Sequence, residues 1–227
     1  MKSLVLIIVL LLLVPSLSAT PEKFHDQAAH LRIPELDPQI GDARFRFEYK
    51  AAKRGEAEAQ NQIGVFFYNG SGGVEADWRQ SKQWFILAAQ KGHVLGCSNL
   101  ADLYNHKGQQ FAKAAYWYRL PVARENIQAM NHFSWLLATC PDARIRNGKE
   151  AVRVAQRLVQ LRSNNPMYID TLAAAYAEAG YYKKAVSLQK QALALHNPAL
   201  FSDLEPRNQY LHRLQLYQAG RPFREDN

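Results

Sequence analysis

The sequence predicts an all-α solenoid, a stack of antiparallel helix pairs, on three observations. The first is internal repetition. Phe47, Ala51, Ala52 and Gly55 recur as Trp84, Ala88, Ala89 and Gly92, each displaced by 37 residues, and Ile63, Gly64 and Phe67 recur as Leu100, Ala101 and Tyr104 at the same displacement. A unit of this length is one supersecondary element that cannot bury its apolar face alone, so neighbours must stack. The second is helical periodicity from Asp42 onward, punctuated by glycines such as Gly55, Gly70 and Gly92 where helices should end. The third is alternation of size. Ala51, Ala52, Ala59, Gly64, Ala88, Ala89, Gly96 and Ala101 let backbones approach, while Phe66, Trp84, Phe85 and Trp117 fill the spaces between them.

The chain has 227 residues, and its first segment stands apart from the stack. Lys2 precedes an unbroken apolar run over residues 4–14, Pro15 breaks the run, and Ser16, Leu17, Ser18 and Ala19 follow. This is the layout of a secretory signal peptide, here residues 1–19. The run is shorter than the ~20 apolar residues that span a bilayer. A cut after Ala19 leaves Leu17 where a small residue is preferred, whereas a cut after Ser18 puts Ser16 and Ser18 at the small positions. The alternative is an uncleaved inner-membrane anchor over 4–14. No cysteine follows the run, so a bacterial lipid anchor has no attachment residue. Residues 20–40, with Pro21, Pro34 and Pro38, read as an extended lead-in.

The helices follow in order. Residues 42–53 place Phe45, Tyr49 and Ala52 on one side, and Gly55 stops them. Residues 56–69 form the next helix, ended by Gly70, Gly72 and Gly73. Asp77 is a good N-cap for 78–91, and Gly92 closes that helix. Residues 93–107 and 110–124 form the following pair. Pro198 to Pro206 interrupt the pattern. Residues 209–218, ending at Gly220, form a terminal helix that covers the apolar end of the stack, as a terminal unit must. Tyr116, Trp117 and Tyr118 are adjacent and point to different sides, so at least one should be exposed. Tyr68 should be exposed, since the register carries it off the Ile63/Phe67 face.

Two known repeat patterns are visible. Gly55-x-Ala57-x-Ala59-Gln60-x-x-Ile63-Gly64-x-x-Phe67-x-x-Gly70-x-Gly72, then Val74-x-x-Asp77-x-x-x-x-Lys82-x-Trp84-x-x-x-Ala88-Ala89-x-x-Gly92, resembles a Sel1-like repeat. It departs by one extra residue in the glycine turn and by Ser81-Lys82 where that family often has Lys-Ala. The unit from Gly92 to Asn126 keeps Leu100, Ala101, Tyr104, Gly108, Ala114 and Trp117, lacks the Gly-Val-x-x-Asp turn, and ends on Asn126 in place of glycine. Further on, Asn165-Pro166-x-Tyr168-x-Asp170-Thr171-Leu172-Ala173-Ala174-Ala175-Tyr176-Ala177-Glu178-Ala179-Gly180-Tyr181-Tyr182-x-Lys184-Ala185-Val186-x-Leu188-x-x-x-Ala192-Leu193 is similar to a tetratricopeptide repeat. Residues 126–161 resemble a diverged unit before it. The organisation is then signal 1–19, lead-in 20–40, Sel1-like repeats 41–126, tetratricopeptide-like repeats 127–197, and a capping helix with tail over 198–227.

The resemblance implies an α-solenoid that binds protein on its concave face. Carried onto this chain, the lining positions are Asn61, Val65, Tyr68 and Asn69 in the first unit, and Ser98, Asp102, Asn105 and His106 in the second. In the last they are Asp170, Ala174 and Glu178. Asn61 stands where the family often has a peptide-binding asparagine, but the cations that accompany it to hold a carboxylate are absent from these positions.

Other chemistry is thinly represented. The sequence contains no phosphate loop, dinucleotide fingerprint, His-Glu-x-x-His, Cys-x-x-Cys or Gly-x-Ser-x-Gly. His93 with Cys97, and Asp102 with His106, are four apart and share helix faces, as two metal ligands would. The two pairs are too far apart along the helix to reach one ion, so no metal or other cofactor is expected. Cys97 and Cys140 fall at opposite ends of successive repeat helices, beyond bridging distance. Arg146, Lys149, Arg153 and Arg157 recur at spacings of three and four. They form either a solvated outer face or a contact for an acidic partner or anionic envelope surface. The formal charge of +8 falls to +7 without Lys2 and favours acidic partners. Export argues against nucleic acid, despite a pI near 9.5.

The expectation is therefore an exported, periplasmic protein-interaction scaffold without catalytic residues. An immunity or regulatory role toward an envelope partner is a specific form of it. The alternative is a cell-envelope hydrolase on a repeat scaffold. Intact mass of protein recovered from the envelope tests the first step. Loss of 18 or 19 residues is expected, and a membrane-bound species retaining Met1 would favour the anchor.

Overall fold

The computed structural model describes residues 35–37, 39–196 and 205–225, with side chains in the last stretch from Arg207. The signal segment, most of the lead-in and Pro198 lie outside the described residues. Within them the chain is helical: α1 (Ala43–Lys53), α2 (Ala57–Asn69), α3 (Trp78–Gln90), α4 (Val94–His106), α5 (Phe111–Ala123), α6 (Ile127–Thr139), α7 (Gly148–Leu161), α8 (Pro166–Glu178), α9 (Tyr182–Leu195) and α10 (Glu205–Gln218).

Side-chain caps open several of the helices. The backbone N–H of Phe45 donates to Asp42 at 2.8 Å, that of Arg79 to Asp77 at 2.8 Å, that of Ala129 to Asn126 at 2.9 Å and that of Met167 to Asn165 at 2.9 Å. Each satisfies a donor that a helix start leaves unpaired. Gly55 and Gly92 hold left-handed turns. The equivalent position after α5 is Glu125, at φ 54°, while Asn126 is the cap of α6. The left-handed residue of that unit thus stands one position before the Asn126 that the sequence suggested, in a conformation that disfavours a side chain.

Each helix packs on the next, and α2 also touches α4, α6 touches α8, and α8 touches α10. The even-numbered helices meet across units more closely than the odd-numbered ones do, so the stack is an α-solenoid with the even layer inside. Interdigitation follows the sequence. A Cβ at Gly64 would stand 2.5 Å from the Phe85 ring, so this close crossing of α2 and α3 requires glycine. Trp84 is fully buried and lies edge-on to Tyr49, with ring centroids 5.9 Å apart.

Two expectations change, and one repeat-equivalent pair divides. Phe47, the repeat equivalent of Trp84, is 72% exposed. Its helix is the first of the described stack and packs chiefly on α2, so no described unit covers its other side. None of Tyr116, Trp117 and Tyr118 is exposed, because Tyr116 folds edge-on to Trp117 at 5.1 Å while the other two are buried. The terminal helix begins at Glu205, before the expected 209, with Pro206 in its first turn. Proline is tolerated there because the missing N–H would have no helical partner anyway.

Trp84→Ala should cost ~3–5 kcal/mol in urea unfolding, whereas Phe47→Ala should cost less than ~0.5 kcal/mol. A loss under about 1 kcal/mol for Trp84→Ala would mean the repeat register is wrong.

Candidate interaction surface

The inner helices share one register. The positions that select Asn61, Val65, Tyr68 and Asn69 on α2 select Ser98, Asp102, Asn105 and His106 on α4. On α6 they select Asn131, Trp135, Ala138 and Thr139, and on α8 Asp170, Ala174, Ala177 and Glu178. The structure sorts them by depth. Tyr68, Asn69 and His106 are exposed; Val65, Asp102 and Glu178 are half-buried. Asn61, Ser98, Asn105 and Asp170 are buried and do not face solvent as expected. For Asn61, Ser98 and Asp170 the reason is the approach of the inner helices, which closes over the first register position; Asn105 lies at the third and is also buried. Asn61 Oδ1 accepts from Asn99 Nδ2 of α4 at 2.9 Å. Asn131 Oδ1 in the same position on α6 accepts from Thr171 Oγ1 of α8 at 2.8 Å. These polar links join units.

Asp102 gathers three helices. Its Oδ1 accepts from the Tyr118 hydroxyl of α5 and from Nδ1 of His132 of α6, the latter at 2.7 Å. The His106 ring stands edge-on to His132 at 6.5 Å. Hydrogen bonding to Asp102 raises the pKa of His132 against the opposing effect of burial. Burial, reinforced by Asp102, pushes the Tyr118 phenol well above its ordinary value. The hydrogen-bond partner of Asp102 is thus His132 of the next unit, while His106, four residues on along the same helix, stands against the His132 ring.

The far half of the inner face is occupied by the chain itself. α10 is fixed by Arg213, whose Nε and Nη2 donate to Asp170 Oδ1 and Oδ2 at 2.8 and 2.9 Å, with both side chains buried. Burial pushes the Asp170 carboxyl up, opposed by Arg213 and by the Gln189 amide. After α10, Gly220 takes a left-handed turn and the Arg221 N–H bonds back to Leu216, reversing the chain. Residues 221–225 then cross α6 and α8. The Phe223 ring packs on Trp135 at 5.8 Å, and Arg213 lies over both rings. Arg224 pairs with Glu178 at 2.5 Å. The Glu225 backbone N–H donates to the Thr139 carbonyl at 3.0 Å, and Trp135 Nε1 donates to the Glu225 carboxylate at 2.6 Å. An open cleft of about 470 Å³ remains beside the tail, lined by Trp135, His212 and Phe223 among others.

No family model matches the chain, and no curated protein aligns with it. Among solved structures it is similar to a Sel1 repeat protein from Oxalobacter formigenes, with 15% identity, 90% of each chain covered and a TM-score of 0.55. The fold is that of a Sel1-type helical repeat. At this identity the likeness is one of fold.

On this Sel1-type stack the remaining sequence candidates find other roles. His93 Nδ1 accepts the Gly96 N–H at 3.1 Å as the cap of α4, so Nε2 carries the proton toward Glu58 at 2.9 Å. Cys97 and Cys140 are buried free thiols, and burial pushes them up to about 12 and about 11. Among the described residues, no group of three ligating side chains could hold a metal ion. The basic stripe is largely neutralised: Arg146 pairs with Glu178 at 3.2 Å, Arg153 with Glu150 at 3.8 Å and Arg157 with Glu125 at 2.8 Å. Trp135, Ala138 and Thr139 were not singled out in sequence, although the spacing shared with α4 and α8 marks them.

His132 gives a pH dependence of definite sign. Its folded pKa lies above the unfolded value, so its pairing with Asp102 stabilises fully below about pH 6.5 and is lost as pH rises through the folded value. The urea midpoint of the unaltered chain should fall, relative to His132→Gln, between about pH 6 and pH 8.5. The half-exposed pair limits the effect to less than ~1 kcal/mol. Parallel curves would remove His132 as the titrating group.

Proposed function

We propose that this chain is an exported scaffold of the bacterial periplasm that binds a partner protein along its inner face. The observation that carries the reading is that this face holds a non-helical segment by backbone and side-chain contacts, those of Glu225, Arg224 and Phe223 on α6 and α8. The α2–α4 half offers Tyr68, Asn69 and His106 to a partner, with Asp102 behind them. The apolar run over 4–14 supports export. Holding an envelope partner inactive, as an immunity or regulatory protein does, is one use of such a surface. Asn61, Ser98, Asn105 and Asp170 then act from beneath, by setting the spacing of the inner helices.

A photo-crosslinking amino acid at Tyr68 or His106, in cells, tests this. Both should give the same discrete adduct, and a probe at Arg153 on the outer layer should give none. Tyr68→Ala should weaken the identified partner at least ~10-fold, the scale of a single interface hot spot. Adducts from Arg153 alone would move the interface to the outer layer.

One observation favours the second reading, a cell-envelope hydrolase. The Asp102–His132 bond orients a partly exposed imidazole through Nδ1 and leaves Nε2 able to take a proton, as in hydrolytic triads. Release of soluble fragments from purified wall by the unaltered chain, and its loss in His132→Ala, would establish that reading over the scaffold.

A further inference from the structure

Resting on the reading of the inner face as a binding surface, we propose that residues 221–225 are an intramolecular stand-in for a partner. They close the α6–α8 half of the face. The segment that displaces them presents, in extended form, an aromatic residue, a cation and a carboxylate in succession.

The chemistry is read from what the tail satisfies. Phe223 covers the Trp135 ring, Arg224 neutralises Glu178, and Glu225 accepts the Trp135 indole N–H while its own backbone donates to Thr139. These three consecutive residues use an aromatic platform, an acid and a main-chain acceptor, the combination that recognises extended peptides.

The same contacts are built to be released. Glu178 keeps Arg146 when Arg224 leaves. Trp135 keeps the Arg213 guanidinium over its face, 5.2 Å from the ring centroid, when Phe223 leaves. The hydrogen bonds of Arg213 to Asp170 and the buried Tyr217, which anchor α10 itself, do not involve the tail, and Arg213 keeps the Tyr210 and Trp135 rings when its stacking on Phe223 is lost. Departure of the tail therefore leaves no buried charge unpaired and does not undock the capping helix. The left-handed turn at Gly220 is the pivot, since the chain beyond it makes the groove contacts and the chain before it makes the anchoring ones.

A tethered ligand competes at an effective concentration near the millimolar range. If the free segment binds at about 100 μM, the tail weakens a competing peptide roughly 10-fold. The test uses a fluorescein-labelled, amidated peptide of residues 219–225 against full-length protein. The Phe223→Ala/Arg224→Ala chain should bind it at least ~10-fold more tightly than the unaltered chain does. Adding Glu178→Gln to that chain should reverse most of the gain. The milder Arg224→Gln chain, tested alongside so that a folding defect in the double variant does not decide the matter, should shift the same way by a few-fold. Circular dichroism checks each fold. Equal affinity in the altered and unaltered chains, or binding indifferent to Glu178→Gln, would make the tail a structural closure and overturn the proposal. Crosslinking at Tyr68 reads the other half of the face, so the scaffold reading can survive that outcome or fail independently of it.

Discussion

The ion pair of Arg213 with Asp170 is the contact on which the C-terminal half depends. A buried carboxylate is costly to desolvate, and it becomes tolerable only when its partner is fixed and the remaining lone pairs are used. Here the guanidinium supplies two parallel hydrogen bonds, and Gln189 of α9 supplies a third to Oδ1 at 2.7 Å. Three helices, α8, α9 and α10, are registered through one side chain. The guanidinium faces are used as well, against Tyr210, Trp135 and Phe223. A lysine would carry the same charge without the planar fork or the stacking faces. Positioned in this way, α10 closes the stack and aims the chain beyond it back into the inner face.

The rest of the inner layer is joined by smaller polar links of one kind. Asn61 with Asn99, Asp102 with Tyr118 and His132, and Asn131 with Thr171 each span adjacent helices or units. Apolar packing in a solenoid is nearly translational, and repeated alanines and aromatics would accept more than one offset between units. Buried hydrogen-bonding groups do not, because a shifted register leaves them unsatisfied. The inner face thus carries polarity for two purposes, alignment at depth and recognition at the rim. Asn61 and Tyr68 illustrate the division on a single helix, the first buried against α4 and the second exposed.

The outer layer shows why charge on a helix face is a weak guide to partners. Arg146, just before α7, and Arg153 and Arg157 on it each meet a carboxylate: one from α8, one from α7 itself, and one from the loop after α5. Glu178 and Glu125 are distant in sequence from the arginines they neutralise and come beside them only when α7 packs between its neighbours. Lys149 remains exposed.

The sequence by itself determined the helical class, the repeat spacing, the Asp77 cap, the glycine stops and which small residues allow close crossings. All of these are local or periodic, and a period is visible without knowing the fold. It also determined the inner register on α2, α4 and α8, where Val65, Asp102 and Ala174 occupy one position, while Trp135 of α6 joined that register only in the structure. Tertiary structure alone decided which members of that register are buried, because depth depends on how nearly adjacent inner helices approach. It alone made His132 the partner of Asp102, since the pairing joins residues of different units. It alone exposed Phe47, whose sequence matches a buried tryptophan but whose helix stands at the end of the described stack. The tail is the extreme case. Residues 221–225 have no periodicity and no motif, and their place against Trp135 and Glu178 follows from a reversal at Gly220 and a pairing across the whole C-terminal half, which short-range sequence pattern does not encode.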